Sequence, residues 1–317
     1  MGFVEGSLGE AKFIGDDVFP KTLLPAAGSD RNLAKSVLAG RESLVAALRR
    51  HRALLFRGFD VASAVDFERA VEAFEWDAFQ FSSSVTTRRK LSDRIYTANE
   101  SSPELLINFH HEGALRKETP SKIFFYCNEP SPEGGETSIV ASDVVVEKME
   151  ERLPEVMDKV ADVGLIHINK TGNDADADTN AIFNKTWKSF LGTDDKVEAQ
   201  KRARERLNCS DIRFFGDGSA DIVFGPINPV VEREGRRAWI VPILGYTDSI
   251  HMVFNEFGDG SAPFPPSALN TYREILAENC VDIKWQKGDV LLVDNLAVQH
   301  ARRPGKLPRC VLVSMWK

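Results

Sequence analysis

The sequence predicts a mainly β protein with flanking helices, built on a double-stranded β-helix core of the jelly-roll type. Three observations lead there. Short apolar segments bounded by Gly, Asn, Asp and Pro recur from about residue 53 to the C-terminus, which is the mark of many short strands. Segments with helical spacing interrupt them instead of forming a block of their own. No repeat and no linker divides the chain, so residues 1–317 are expected to form one domain, with a helical and loop insertion at about 145–210. Many short strands with helices between them suit a jelly roll.

In order along the chain, residues 31–50 carry Leu33, Val37, Leu38, Leu44, Val45 and Leu48 at helical spacing. Ala53 to Phe59 reads as a short apolar strand, and Ala62 to Phe74 as a second helix with Phe67, Val71 and Phe74 on one side. A strand is expected near 107–114, an aromatic-rich one from Ser121 to Asn128, and another from Thr137 to Val140 after the Gly134-Gly135 turn. Helices follow at about 142–152 and 155–160, then an alternating strand over 163–169. Asn173 to Thr179 is rich in Asp and Asn without apolar period and reads as a loop. A charged helix is expected over 196–207, and short strands over 212–215 and 222–224. The run Arg233-Glu234-Gly235-Arg236 sits between two strand segments as a hairpin turn. Pro266 to Asn279 is a helix, and strands over 281–285, 290–293 and 310–315 close the set.

Composition narrows the class of function. Hydrophobic residues make up 43% of the chain, with 20 Phe, enough for a large core. The net charge is −7 and no basic run is long enough to suggest nucleic acid. Cys127, Cys209, Cys280 and Cys310 are scattered without a Cys-x-x-Cys pair, so reduced thiols and a cytoplasmic location are expected. The N-terminus lacks the basic start and apolar run of a signal peptide, and Gly2 lies in a poor myristoylation context. No apolar stretch approaches the roughly 20 residues of a membrane span.

The chemistry is concentrated in Asn108-Phe109-His110-His111-Glu112 and in His300. Two imidazoles and one carboxylate can take one face of an octahedral Fe(II) and leave three positions open. On a strand, side chains at i and i+2 share a face, so His110 and Glu112 can reach one metal while His111 points away. His51, His167 and His251 read as structural or surface residues. A His-x-Glu triplet alone is a weak signal. Its context strengthens it: a Lys287-Gly288-Asp289 turn, a buried strand from Val290 to Val293, an Asp294-Asn295 connection and then His300.

At these residues the chain resembles the TauD/TfdA branch of the Fe(II)/2-oxoglutarate-dependent oxygenases, and within it the clavaminate-synthase-like proteins. The motifs that carry the resemblance begin with Ala53 to Phe59, Tyr96 to Ser101, Phe109 to Glu112 and Pro120 to Cys127. They continue with Gly134-Gly135-Glu136-Thr137, Gly288 to Asn295 and His300 to Pro304, all in the family's order. The resemblance implies a jelly-roll barrel in which two ligand strands about 190 residues apart meet at one mouth. It implies Fe(II) held by His110, Glu112 and His300, with 2-oxoglutarate as cosubstrate, dioxygen as oxidant and a small polar molecule as substrate, such as an amino acid or another carboxylate. Hydroxylation, desaturation and ring closure all remain open. Glu112 separates the chain from the family's halogenases, which carry a small residue there.

The same resemblance assigns Thr137 to a carboxylate oxygen of 2-oxoglutarate. One departure concerns the cation for the distal carboxylate. The family has an Arg-Arg pair in the last strand, and here the segment is Leu307-Pro308-Arg309-Cys310-Val311. A neutral Cys cannot replace a bidentate guanidinium. Either Arg309 turns inward through a register slip, or Arg302, Arg303 or Arg237 supplies the charge, or the cosubstrate is not 2-oxoglutarate. Asn108 and Tyr246 are candidate substrate contacts, and Phe79, Phe81 and Ser82-Ser83-Ser84 a candidate lid. Two competing readings stand beside the oxygenase: a 2-oxoglutarate-independent iron oxygenase, motivated by Cys310, and a non-catalytic binding module on the same fold.

Overall fold

The computed structural model describes residues 2–79, 88–98, 101–173, 186–247 and 253–317. Of the expected features, His251, Phe81, Ser82-Ser83-Ser84, Asn99, Glu100 and nearly all of the 173–179 loop lie outside the described residues. The fold is mainly β with flanking helices, as the sequence predicts.

The largest sheet has seven strands in the order Phe3–Gly6, Lys21–Pro25, Ala53–Phe56, Val290–Asp294, Lys122–Glu129, Cys310–Trp316 and Tyr96–Thr97. A second sheet of four strands runs Val281–Ile283, Thr137–Ala141, Val298–Arg302 and Ile107–His110. A third joins Cys209–Phe214, Ala220–Ile227, Leu165–Lys170 and Val253–Phe257. Within the first two sheets, neighbours are antiparallel except the parallel pair Lys21–Pro25 and Ala53–Phe56. The predicted hairpin is present as Val230–Arg233 and Arg236–Trp239.

Period-two alternation sorts the large sheet's side chains into two cores. Ile123, Phe125, Leu291, Val293, Val311, Val313 and Met315 pack on Ile139, Ala141, Ile283 and Val298 of the second sheet. Their neighbours Phe124, Tyr126, Val290, Leu292, Leu312 and Trp316 face the other way, onto Val37, Leu44, Leu48, Phe67 and Val71. Those last residues belong to the helices Leu33–His51 and Ala64–Glu72. Asn32 and Ser63 cap these helices by accepting from backbone N–H groups three residues on. The helices Ser142–Arg152 and Pro266–Asn279 cover the second sheet, through a core that includes Phe109, Val140 and Ala301.

Elements differ from expectation mainly where the apolar signal is short. Four strands within residues 3–25 were not predicted, because each is only three to five residues long and mixes polar and apolar residues on a face instead of alternating them. The strand expected over 107–114 stops at His110, and residues 112–115 form a turn. All four cysteines are free. Among the described residues no helix is long and apolar enough to cross a membrane.

The Arg57-Gly58-Phe59 and Lys287-Gly288-Asp289 motifs meet. Arg57 donates to Asp289 through Nε at 3.0 Å and Nη2 at 2.6 Å, and Asp289 also accepts from the Gln286 N–H. The Asp289 side chain is 1% exposed, so the pair ties the start of the Val290–Asp294 strand to its neighbour without solvent screening. Replacing Arg57 by Ala leaves a buried carboxylate without its cation and should cost about 3–5 kcal/mol of stability. Chemical denaturation measures this directly. A loss below about 1 kcal/mol would show that the pair behaves like a solvent-exposed one.

Candidate metal centre

The centre is built on a register. His300 stands directly opposite His110 in the antiparallel pair of Val298–Arg302 with Ile107–His110. Opposed residues point to the same face, and the two imidazole centroids lie 4.4 Å apart. Glu112 joins them from the turn. Ligand atoms of His110, Glu112 and His300 all lie within 4.8 Å of one another. The convergence matches the sequence expectation, but for Glu112 by a different route. The i, i+2 strand argument does not apply to Glu112, because the strand ends two residues before it.

Asn295 takes the place of the missing strand. Its Oδ1 accepts from the Glu112 N–H at 2.9 Å, and its Nδ2 donates to the Glu112 carbonyl at 3.0 Å and to Pro120 O at 2.7 Å. The fully buried amide thus pairs with the Glu112 backbone as a neighbouring strand would. Sequence reasoning singled out the Asp294-Asn295 connection but gave Asn295 no role. The available signal was a lone amide closing an apolar run five residues before His300.

His111 does turn away, as expected. Its Nδ1 lies 2.6 Å from Asn295 O, which can only accept, so the proton sits on Nδ1 and Nε2 accepts from the Ser142 hydroxyl at 2.7 Å. Both nitrogens are committed, and burial pushes its pKa down to about 4. His167 and His51 are likewise bonded within the protein, to Asn255 and Asn169 and to Val18 O.

The donor set suits a metal. His110 Nδ1 lies 2.8 Å from Asn108 O, which fixes the proton there and leaves the Nε2 lone pair available. His300 has a buried Nδ1 with no protein partner. Burial holds both imidazoles neutral, His300 well below the ordinary histidine range, with the neighbouring His110 adding to the effect. For Glu112 burial opposes the charge, yet the carboxyl stays below its usual range, with the Arg88 guanidinium as its main counterweight through charge and hydrogen bond. Two neutral imidazoles and an ionised carboxylate are the forms a metal requires. Arg88, which sequence reasoning missed, donates from Nη2 to Glu112 Oε2 at 2.9 Å. Nothing in the run Thr86-Thr87-Arg88-Arg89-Lys90 marks that arginine as buried.

Thr137 and Arg302 are opposed in the strand pair that carries His300, on the same face. Thr137 Oγ1 accepts from Trp285 Nε1 at 3.1 Å, so its own proton is free to be donated. Arg302 has one end of its guanidinium committed within the protein, while its buried Nε has no partner among the described residues. Its Nη2 donates to Ser101 Oγ at 2.8 Å, Ser102 O at 2.6 Å and Leu105 O at 2.9 Å, which ties residues 101–105 to the sheet.

The register slip considered for the last strand exists. Pairing with Lys122–Glu129 shifts between Cys310 and Val311. Cys310 packs on the helix-side core, whereas Arg309 donates from Nε to Gly135 O at 2.8 Å. Gly135 has φ +72°, and a Cβ there would lie 3.0 Å from the Arg309 side chain. The Gly134-Gly135 turn therefore makes the space that Arg309 occupies. Burial lowers the Arg309 pKa to about 10, and burial with repulsion from Arg309 lowers that of Arg302 to about 10. The other two cations considered are held elsewhere, Arg303 by Asp282 at 3.1 Å and Arg237 by Glu150 at 2.7 Å.

Asn108 and Tyr246 form one device. The Asn108 N–H donates to Tyr246 O at 2.9 Å and its Nδ2 donates to Leu244 O at 3.4 Å. The Tyr246 ring then stands edge-on to His110 at 5.1 Å. Asn108 acts as a strap that sets Tyr246 beside the centre. Burial, reinforced by the Glu112 charge, pushes the Tyr246 phenol up to about 12, so it stays protonated. Of the expected lid, Phe79 packs at the edge of the inter-sheet core.

Comparison with known proteins agrees with this geometry. The family model described as taurine catabolism dioxygenase TauD, TfdA family matches residues 20–316. A clavaminate synthase-like protein of Arabidopsis thaliana is 40% identical over 273 residues, covering 84% of this chain and 81% of that one. Among solved structures, PvcB from Pseudomonas aeruginosa superposes with a TM-score of 0.56 at 14% identity, covering 94% of this chain and 86% of that one. AAD-2 in complex with Mn(II) and N-oxalylglycine gives 0.52 at 12% identity, covering 100% and 97%. At these identities the two structures speak to the fold.

Replacing Asn295 by Ala strips partners from the Glu112 N–H and from two carbonyls, each costing about 1–3 kcal/mol if left unpaired. Asn295→Ala should therefore lower the melting temperature and reduce metal content together. Retention of both would show that the turn holds Glu112 without the amide.

Proposed function

The chain belongs to the TauD/TfdA family, and from that premise we propose that it is an Fe(II)/2-oxoglutarate-dependent oxygenase whose iron is held by His110, Glu112 and His300. The observation that carries the reading is the convergence of those three side chains within 4.8 Å, in the protonation states a metal needs. PvcB, a structural neighbour, is described as an Fe, alpha-ketoglutarate dependent oxygenase. In this reading residues 1–317 form a single oxygenase domain. The seven-stranded and four-stranded sheets, packed face to face, are the two halves of a double-stranded β-helix, and the helices and loops of about 145–210 are an insertion.

When bound, the iron supplies the redox chemistry that couples oxidative decarboxylation of 2-oxoglutarate, to succinate and carbon dioxide, to oxidation of a substrate by dioxygen. The chain's own residues do the rest. The bond from His110 Nδ1 to Asn108 O orients that ring, and Asn295 fixes the Glu112 backbone. Thr137 donates its free hydroxyl proton to one 2-oxoglutarate carboxylate, and Arg309 supplies the cation for the other. Arg302 supports this arrangement by holding residues 101–105, and its unpartnered buried Nε is a second donor on the Thr137 face. Phe125, with its ring 5.2 Å from His300, and Tyr246 beside His110 exclude water from the metal face. Their protonated and apolar surfaces suit a small polar substrate such as an amino acid or another carboxylate. The inward course of Arg309 supports 2-oxoglutarate as cosubstrate over the 2-oxoglutarate-independent alternative that Cys310 had suggested.

Two substitutions test this reading. His300→Ala should abolish both iron binding and succinate formation; full iron content with full turnover would place the centre elsewhere. Arg309→Ala should keep its iron and bind 2-oxoglutarate about ten- to a hundredfold more weakly, the loss of one charge-assisted hydrogen bond. An unchanged affinity would remove Arg309 from the cosubstrate site.

A further inference from the structure

We infer that Arg88 is a positioning residue that holds Glu112 to single-oxygen coordination and so keeps a metal position open for the cosubstrate. This rests on the proposed iron site. A carboxylate can bind a metal through one oxygen or both. A facial site built from two imidazoles and one carboxylate works only if that carboxylate takes a single position. A second Glu112 oxygen on the metal would remove one of the three positions that a chelating cosubstrate and dioxygen need.

The geometry gives that second oxygen another partner. Arg88 Nη2 donates to Oε2 of Glu112 at 2.9 Å, with side-chain exposures of 6% and 16%. The guanidinium is steadied from its other end, where Nη1 lies 3.8 Å from the sulfur of Met315, an inward residue of the Cys310–Trp316 strand. In so enclosed a place the ion pair is little screened and holds Oε2 firmly. Asn295 grips the Glu112 backbone while Arg88 grips one oxygen of its carboxylate, so the remaining oxygen is the one left for the metal.

This role predicts opposite changes in two affinities. Removing the Arg88 charge takes away a competitor for Glu112 and lets both oxygens bind, so metal affinity rises while cosubstrate affinity falls. The probes are Mn(II), followed by electron paramagnetic resonance, and then 2-oxoglutarate titrated into the Mn(II)-loaded protein. Arg88→Met should bind Mn(II) about tenfold more tightly, the effect of one nearby unit charge in partly wet protein. It should bind 2-oxoglutarate at least about tenfold more weakly, since the chelate must first displace the second Glu112 oxygen and about 1.4 kcal/mol is already tenfold. Arg88→Lys keeps the charge and a donor and should restore both values, and Arg88→Gln carries the same test if Arg88→Met does not fold. If the two affinities fall together, or neither moves, while the unmodified protein loads normally, the inference about Arg88 is overturned alone. An unmodified protein that binds no Mn(II) would overturn the metal-site reading and this inference with it.

Discussion

The site depends on one pairing, that of the strand Val298–Arg302 with Ile107–His110. It sets two imidazoles from distant parts of the chain beside one another, tilted by 52°, and everything else is arranged around them. On its other edge the same strand pairs with Thr137–Ala141, which brings Thr137 opposite Arg302. A slip of one residue would turn His300 to the helix-covered side and bring Ala301 to the metal face. Apolar burial on both faces resists such a slip, because Val298 packs between the sheets while Ala301 packs under the helices.

The pairing ends too early to carry Glu112, and side chains continue it. Asn295 supplies a donor and an acceptor at the spacing of a strand partner, and its carbonyl accepts from His111. His111 in turn accepts from Ser142, the first residue of the helix Ser142–Arg152. The turn that carries Glu112 is therefore fixed to a strand end and a helix start through neutral, buried or partly buried hydrogen bonds. Such bonds keep their geometry when the charge at the centre changes, which a network of ion pairs would not.

Charge is placed more sparingly. Arg88 faces Glu112, Arg309 lies against the Gly134-Gly135 turn, and Arg302 is tied to residues 101–105. Burial works against the charge of both Arg302 and Arg309. Arg309 lies close enough to add to the depression of Arg302, so two guanidinium groups are held near one another in partly dry surroundings. Arg237 and Arg303, by contrast, are paired with Glu150 and Asp282.

The sequence by itself determined the elements whose signal is local: the long helices and most apolar strands from residue 53 onward, though not Val253–Phe257 or the bounds of Val298–Arg302. Residue type and short-range period encode those, whereas His110, Glu112 and His300 were legible as a set from residue type and family pattern, not from the period, which stops at His110. It could not decide where the 107–114 strand would stop, because the turn at Glu112 is held by Asn295, 183 residues away. Nor could it decide which way Arg309 faces. That depends on a pairing shift opposite the Lys122–Glu129 strand and on the space opened at Gly135. Arg88 was illegible for the same reason. Nothing near it in sequence distinguishes a surface arginine from one buried against a carboxylate, and only packing against Glu112 and Met315 makes the difference. Local pattern fixes which residues are available, whereas a site assembled across sheets takes its final geometry from contacts that no window of sequence contains.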